Sequence, residues 1–394
     1  MTPDVVELLR TGRFAEVHGL LAPQLRPLAS PEALEAAWTA ALAENGALTS
    51  TGAPVTEQGV TRVVLEFERG RMTLVTAEGP DGLAGLQLAP ASASEPMAPW
   101  EPPSYVDTST FEEQDVALYG VEGTLSLPFV SGPAPAVVLL SGSGAHDRDE
   151  TIGRNKPLKD VAWGLASRGI AVLRFDKVTY GMTSAPADFT VYDEYAPAAL
   201  SAFALLRERA DIGPIYLLGH SLGGTIAPRI AAAEPAIAGL ILLAGAAQPL
   251  HWATVRQLRY IGAAETTIEA ITQRAQMVDS PALSANTPAT ELPFGVPAPY
   301  WLDLRDYDAP ATAARLDVPM LILQGGRDYQ VTVDDDLALW QAELADRPNV
   351  TVRVYEADNH MFSPGSGPST PAEYEPAQHV DPEVVADIAD WLTG

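Results

Sequence analysis

Two hydrophobic periods divide the chain. At the N-terminal end apolar positions recur every three or four residues. Val5, Val6, Leu8 and Leu9, then Phe14, Val17, Leu20 and Leu21, predict helical segments interrupted at Thr11-Gly12. A further helix is predicted from Pro31 to Ala43, with Ser30 as N-cap, Pro31 at the first helical position and Asn45-Gly46 as the stop. The period then falls to two. Residues 59–67, 72–76 and 83–88 read as strands. Helices followed by strands predict a small α+β domain over residues 1–88. The stretch 89–104 holds five prolines and predicts a semi-extended linker, pinned to one domain by Trp100.

From residue 105 to 394 the pattern is strand alternating with helix. Residues 111–119 and 122–127 predict an antiparallel entry pair. Continuous apolar runs follow at 136–140, 170–175, 215–218, 240–243, 320–323 and 350–355. Helices are predicted at 158–167, 192–209, from Thr225 onward and at 381–392. Unbroken apolar strands between helices predict an α/β domain with a mostly parallel central sheet covered on both faces. Pro228, inside the helix that starts at Thr225, predicts a kink. The alternation fails between Gln248 and Leu316. This insert, about 248–316, reads as helical from Trp252 to Met277 and Pro-rich after that. Its place between two core strands predicts a cap over the site.

Composition narrows the function classes. The 394 residues suit about two domains, and 47% hydrophobic with 19% charged residues indicates a large core. A net charge of −27 excludes phosphate-backbone binding, so no nucleic-acid partner is expected. There is no cysteine, which removes disulfides, thiolate metal sites and cysteine nucleophiles. No basic-then-apolar leader opens the chain and no apolar run approaches a membrane span. A cytoplasmic protein without membrane attachment is expected; oligomeric state is not legible. His18, alone on a helical face, is expected to be structural.

The chemistry centres on Ile215-Tyr216-Leu217-Leu218-Gly219-His220-Ser221-Leu222-Gly223-Gly224. A buried strand ends in G-x-S-x-G and a helix begins. A serine at such a turn needs unfavourable backbone angles to project its hydroxyl. A β-carbon at Gly219 or Gly223 would crowd the turn. Ser221 then sits at a helix N-terminus, where unpaired N–H groups favour developing negative charge.

A serine hydroxyl needs a base, and the base a partner that fixes its tautomer. In this architecture acid and base follow the serine in that order, each just after a core strand. Asp328 is the first acid past strand 320–323, in Gly325-Gly326-Arg327-Asp328. His360 follows strand 350–355, in Asp358-Asn359-His360. The rivals are weaker. Asp303, Asp306 and Asp308 lie in the insert. Asp334, Asp335 and Asp336 read as the acidic start of a helix. His220 is expected to point away from the serine, and His146, His251 and His379 follow no core strand. For the oxyanion, the backbone N–H groups of Leu222 and Ser143 are the expected donors, Ser143 lying in the small-residue loop Ser141-Gly142-Ser143-Gly144. The segment His146-Asp147-Arg148-Asp149-Glu150 reads as an ion-pair network bracing that loop rather than a metal site. Asp176 reads as a further brace. No metal or cofactor is expected.

These motifs resemble the alpha/beta-hydrolase superfamily. Ser141-Gly142-Ser143-Gly144 with Asp147-Arg148-Asp149-Glu150 and Asn155-Lys156-Pro157 is similar to bacterial two-domain carboxylesterases related to the serine aminopeptidase and dienelactone hydrolase branches. In those a small α+β domain of NTF2-like layout precedes the hydrolase, and residues 1–88 resemble it. The oxyanion strand departs from many hydrolases in ending in Ser141-Gly142 rather than His-Gly. The resemblance implies cofactor-free hydrolysis of short-chain carboxylic esters by Ser221, Asp328 and His360, with a small-molecule ester as substrate. A peptidase or aminopeptidase on the same triad is the rival, with Asp303, Asp306 or Asp308 as its amine-binding acid. A non-catalytic binding protein ranks below both.

Overall fold

The computed structural model describes residues 5–22, 25–26, 29–57, 60–79, 82–90, 100–182 and 184–394. The chain divides into two units, 1–99 and 100–394.

In the first unit α1 (Val5–Arg10) and α2 (Phe14–Leu20) are separated at Gly12, whose φ of 72° lets the chain turn. α3 (Pro31–Asn45) starts where the Ser30 side chain accepts the Ala33 N–H and stops at Gly46. β1 (Leu48–Thr51), β2 (Val55–Glu57), β3 (Val60–Phe67), β4 (Arg71–Gly79) and β5 (Gly82–Pro90) form an antiparallel sheet ordered β1-β3-β4-β5, with β2 also on β3. The hydrophobic pattern misses β1 and β2. In β1 the three residues after Leu48 are exposed, so the edge strand carries no buried alternation. Val17, Trp38, Leu65, Phe67 and Leu74 form the unit's core. β5 runs two residues into the stretch expected as a linker, and 91–99 of that linker lie outside the described residues.

The second unit holds β6 (Phe111–Leu118), β7 (Val121–Pro128), β8 (Ala134–Leu140), α4 (Pro157–Ala166), β9 (Ala171–Phe175), α5 (Val191–Arg207), β10 (Ile212–His220), α6 (Leu222–Ala233) and β11 (Leu240–Leu243). After β11 come α7 (Leu250–Tyr260), α8 (Glu265–Asp279), α9 (Ala298–Arg305), α10 (Ala309–Ala313), β12 (Met320–Gly325), α11 (Ala338–Leu344), β13 (Val350–Tyr355) and α12 (Pro382–Thr393). Trp100 is pinned here, its indole N–H donating to Asp160 at 3.0 Å. The stretch expected to be helical over 252–277 forms two helices, α7 and α8, parted at Gly262 with φ 69°. α6 runs on through Pro228 to Ala233. Among the described residues no helix is long and apolar enough to cross a membrane.

The sheet order is β13-β12-β11-β10-β8-β9-β7-β6, parallel from β13 to β9, with β7 antiparallel to both β9 and β6. Alternate residues of one strand enter different cores. Val138, Leu140, Leu217 and Leu242 face the core shared with Phe203 of α5 and Ile226 of α6. Val137, Leu139, Leu218 and Leu243 face that shared with Val161 of α4 and Ile388 of α12. Burial on both sides is why these strands read as unbroken apolar runs. β8 and β10 are neighbours, while the chain leaves β8 for β9 on one side and β10 for β11 on the other. Their carboxyl ends open a crevice at this switch of direction, where open α/β sheets bind ligands.

Candidate active site

At the end of β10 the chain reverses into α6 through Ser221, with φ 52° and ψ −120°. The glycines make this turn possible. A β-carbon on Gly223 would lie 2.6 Å from the Leu140 carbonyl oxygen and 2.7 Å from that of Ser141, and one on Gly219 would collide with Gly223. The Ser221 N–H donates to the Leu243 carbonyl at 2.9 Å, tying the strained residue to β11. Ser221, Leu222 and Ser143 all line a cavity of about 310 Å³. Leu222 is the first residue of α6, so its N–H is one that a helix leaves without an intrahelical acceptor.

Asp328 and His360 meet just beyond β12 and β13. His360 Nδ1 lies 2.7 Å from Asp328 Oδ2, and both side chains are buried. Asp328 Oδ1 accepts the N–H groups of Gln330 at 2.7 Å and Val331 at 3.0 Å, and Oδ2 also accepts from the Gln324 amide at 3.2 Å. A carboxylate surrounded by donors calls for the proton on His360 Nδ1, which leaves Nε2 as the acceptor. Asn359 shapes the preceding turn, its Oδ1 accepting the N–H groups of Met361 and Ser363. The residue before Ser221 contacts this pair. The His220 Nε2–H donates to the His360 carbonyl at 2.9 Å and the two rings stand 4.7 Å apart. Among the described residues Ser221 Oγ and His360 Nε2 share no hydrogen bond; catalytic contacts of this kind commonly tighten only with substrate in place.

The loop after β8 is braced from the charged segment 146–150, as expected, and also by His220, to which the sequence pattern gave no such role. The Gly142 N–H donates to Glu150 Oε1 at 2.8 Å and is committed there. The next amide, that of Ser143, has no acceptor among the described residues. Both Glu150 oxygens lie 3.0 Å from His220 Nδ1. Burial pushes the Glu150 carboxyl up and the His220 imidazolium down. Each is outweighed by the other, so Glu150 ends below the usual carboxylate range and His220 above the usual imidazole value. His220 therefore joins the oxyanion loop to the His360 turn. The segment around it is a network of ion pairs. Arg148 pairs with Asp176 at 2.8 Å, and Asp149 lies between Arg174 and Lys156 at 2.8 and 2.9 Å.

Much of the cavity wall comes from the insert, including Leu250, His251, Phe294, Leu304 and Tyr307. The acids weighed for an amine pocket are used elsewhere. Asp303 pairs with Arg229 and accepts the Tyr192 N–H; Asp306 is exposed beside Arg305; Asp308 caps α10. None of the three lines the cavity. Asp336, expected only as an acidic helix start, is fully buried and accepts the N–H groups of Ala247 and Gln248, which fixes the loop after β11. Among the described residues no three His, Cys, Asp or Glu side chains are grouped to hold a metal ion.

Residues 137–387 match the alpha/beta hydrolase family. The chain is similar to Esterase EstD of Thermotoga maritima, 41% identical over 340 residues that cover 85% of this chain and 80% of that protein. It is similar at 26% identity to a monoglyceride lipase of Mus musculus, over 59% of this chain and 77% of the relative. Among solved structures, Est1E from Butyrivibrio proteoclasticus aligns with 71% of this chain and 97% of its own at 16% identity and a TM-score of 0.47.

Proposed function

The chain belongs to the alpha/beta hydrolase family, and from that premise we propose that it is a carboxylesterase-type serine hydrolase acting on short-chain esters through Ser221, His360 and Asp328. The observation that carries this reading is the buried His360–Asp328 hydrogen bond of 2.7 Å beside a serine in elbow geometry. The likeness to an esterase at 41% identity supports ester hydrolysis as the reaction.

Ser221 Oγ attacks the ester carbonyl while His360 Nε2 takes its proton. Asp328 holds the imidazole by Nδ1 and stabilises the imidazolium that forms. The N–H groups of Leu222 and Ser143 receive the oxyanion, the Gly142 amide being occupied by Glu150. Collapse of the tetrahedral intermediate breaks the ester C–O bond, and His360 returns the proton to the departing alcohol. Water then attacks the acyl-enzyme, giving its proton to the same nitrogen, and Ser221 is released with the carboxylic acid. A cavity of about 310 Å³ sits at the small end of ligand pockets and supports a short acyl chain. Asp303, Asp306 and Asp308 do not line it, and the acid that does, Asp279, is engaged by His251 and by the Trp252 indole N–H, which argues against the amine recognition an aminopeptidase would need.

The test is a panel of p-nitrophenyl esters from acetate to dodecanoate, run beside an aminoacyl p-nitroanilide and a Ser221→Ala variant. The expected outcome is a maximum in kcat/KM at acetate to hexanoate, no anilide cleavage and no turnover by the variant. Turnover by Ser221→Ala, or a maximum at dodecanoate, would remove the nucleophile or the chain-length assignment respectively.

A further inference from the structure

The carbonyl of Gly142 is unusually served. It accepts a hydrogen bond from the Lys177 ammonium at 2.6 Å and another from the Tyr195 hydroxyl at 2.9 Å. All three groups are buried. Lys177 follows β9 and Tyr195 belongs to α5, so neither is near the loop in sequence. A single backbone N–H would have satisfied this carbonyl. Burying an ammonium instead carries a large desolvation cost unless it is paired. The pairing is present. Glu194 Oε1 lies 3.2 Å from Lys177 Nζ and also accepts from Thr179, while Glu194 Oε2 accepts from the hydroxyl of Tyr300 on α9 at 2.7 Å. Lys177 Nζ also stands 4.4 Å from the Tyr195 ring centroid.

The Gly142 carbonyl and the Ser143 N–H belong to one peptide unit. In a trans peptide they point in opposite directions. Donors gathered on the carbonyl side therefore direct the N–H to the other side, and Ser143 lines the cavity that Ser221 lines. Donors on the carbonyl oxygen also draw electron density through the amide and strengthen its N–H as a donor. We propose that Lys177 and Tyr195 are positioning residues that orient and polarise the 142–143 peptide so that the Ser143 N–H is preorganised for the oxyanion. This rests on the Ser221 hydrolase reading above. The preceding Gly142 N–H is locked by Glu150, so the loop is fixed on both sides of the working amide. Burial pulls the Lys177 ammonium pKa down, and Glu194 opposes that fall.

The test uses the full chain and p-nitrophenyl butyrate, with Tyr195→Phe, Lys177→Met and Ser221→Ala. A trifluoromethyl ketone analogue of the substrate serves as a second readout, because it adds to the serine as a hemiketal whose oxygen carries the charge. Loss of a whole oxyanion donor costs about 100- to 1,000-fold in kcat, so weakening one from behind predicts about 10-fold for Tyr195→Phe and about 100-fold for Lys177→Met. KM should stay within about twofold and ketone affinity should fall in parallel with kcat, since only the charged state uses the N–H. A merely structural role would move thermal stability without this split. Tyr195→Phe removes one hydroxyl and keeps the ring, so it decides the matter even if Lys177→Met does not fold. Wild-type kcat and ketone affinity in Tyr195→Phe, with Ser221→Ala inactive, would overturn this inference alone. Turnover by Ser221→Ala would overturn the hydrolase reading and this inference with it.

Discussion

The elbow at Ser221 and the loop at Ser141–Glu150 flank one cavity, yet they are built by different physics. At the elbow the constraint is steric. Five consecutive residues form the turn, and two glycines are required because backbone oxygens, that of Gly223 for Gly219 and those of Leu140 and Ser141 at the end of β8 for Gly223, occupy the space where β-carbons would go. In the oxyanion loop the constraint is electrostatic and distant. Glu150, His220, Lys177 and Tyr195 hold one glycine by its N–H and its carbonyl, directly or through Glu150, and they come from four different stretches of chain. Steric positioning tolerates no substitution but needs no charge. Electrostatic positioning tolerates near-isosteric change in shape and fails when a charge is lost.

The largest effect should come from breaking the steric side. In Gly223→Ala the new methyl would meet two backbone oxygens that cannot move without shifting the end of β8. Overpacking of this kind costs about 3 kcal/mol. Displacing the nucleophile from attack geometry should lower kcat/KM by about 100-fold or more in whatever fraction folds. Chemical denaturation and ester kinetics on the same preparation check both. Near-wild-type stability would mean that the elbow relaxes and is not sterically determined.

The same contrast explains what could be read from the sequence. Ser221 was legible because its surroundings are its neighbours. Asp328 and His360 could be nominated because each follows a recognisable apolar strand, although no pattern shows that their side chains are in hydrogen-bond contact. The strands and helices of the second unit were legible for the same reason: burial on both faces leaves unbroken apolar runs. The pair Glu150–His220 spans 70 residues and the contact of Lys177 with Gly142 spans 35, and no period marks either. Asp336 reads as a helix-start acid because two of the donors it accepts from are amides almost ninety residues earlier. β1 was missed because its outer residues face solvent, and the break between α7 and α8 because alanines follow Gly262 and keep the stretch looking helical.

A smaller effect should follow from removing charge on the electrostatic side. Glu150→Gln keeps the shape and leaves an acceptor for the Gly142 N–H, but it deprives His220 of its counter-charge. The raised His220 pKa means that its stabilisation is fully present below pH 6.5 and is lost as pH rises through the folded value. The depressed Glu150 pKa means that its contribution is present above pH 4.5 and is lost as pH falls through the folded value. The two overlap between 4.5 and 6.5, where Glu150→Gln should cost about 2 kcal/mol, the worth of a buried charge-assisted hydrogen bond. The deficit should shrink toward alkaline pH. A deficit independent of pH would show that the pair acts through packing and would erase the distinction from the elbow.

An effect of the opposite sign concerns a carboxyl that has no such network. Asp358 stands two residues before His360 and is as buried as Glu150, but among the described residues neither of its oxygens has a hydrogen-bond partner. Burial, then the nearby carboxylates of Asp381 and Glu383, push its pKa up from 3.8 to about 7, against a weaker pull from Arg327. A raised acid pKa means that the folded state holds its proton more tightly than the unfolded chain. Stability is therefore highest below pH 3.8 for this group and falls as pH rises toward 7. Asp358→Asn cannot ionise and escapes that loss. It should be more stable than wild type at alkaline pH, by up to about 4 kcal/mol for a shift of about three units at about 1.4 kcal/mol each, with the gap closing as pH falls. Melting temperatures of the two proteins across the pH range measure the gap directly. If Asp358→Asn is less stable at every pH, the carboxylate is paired after all. Burial with and without partners would then no longer separate Glu150 from Asp358.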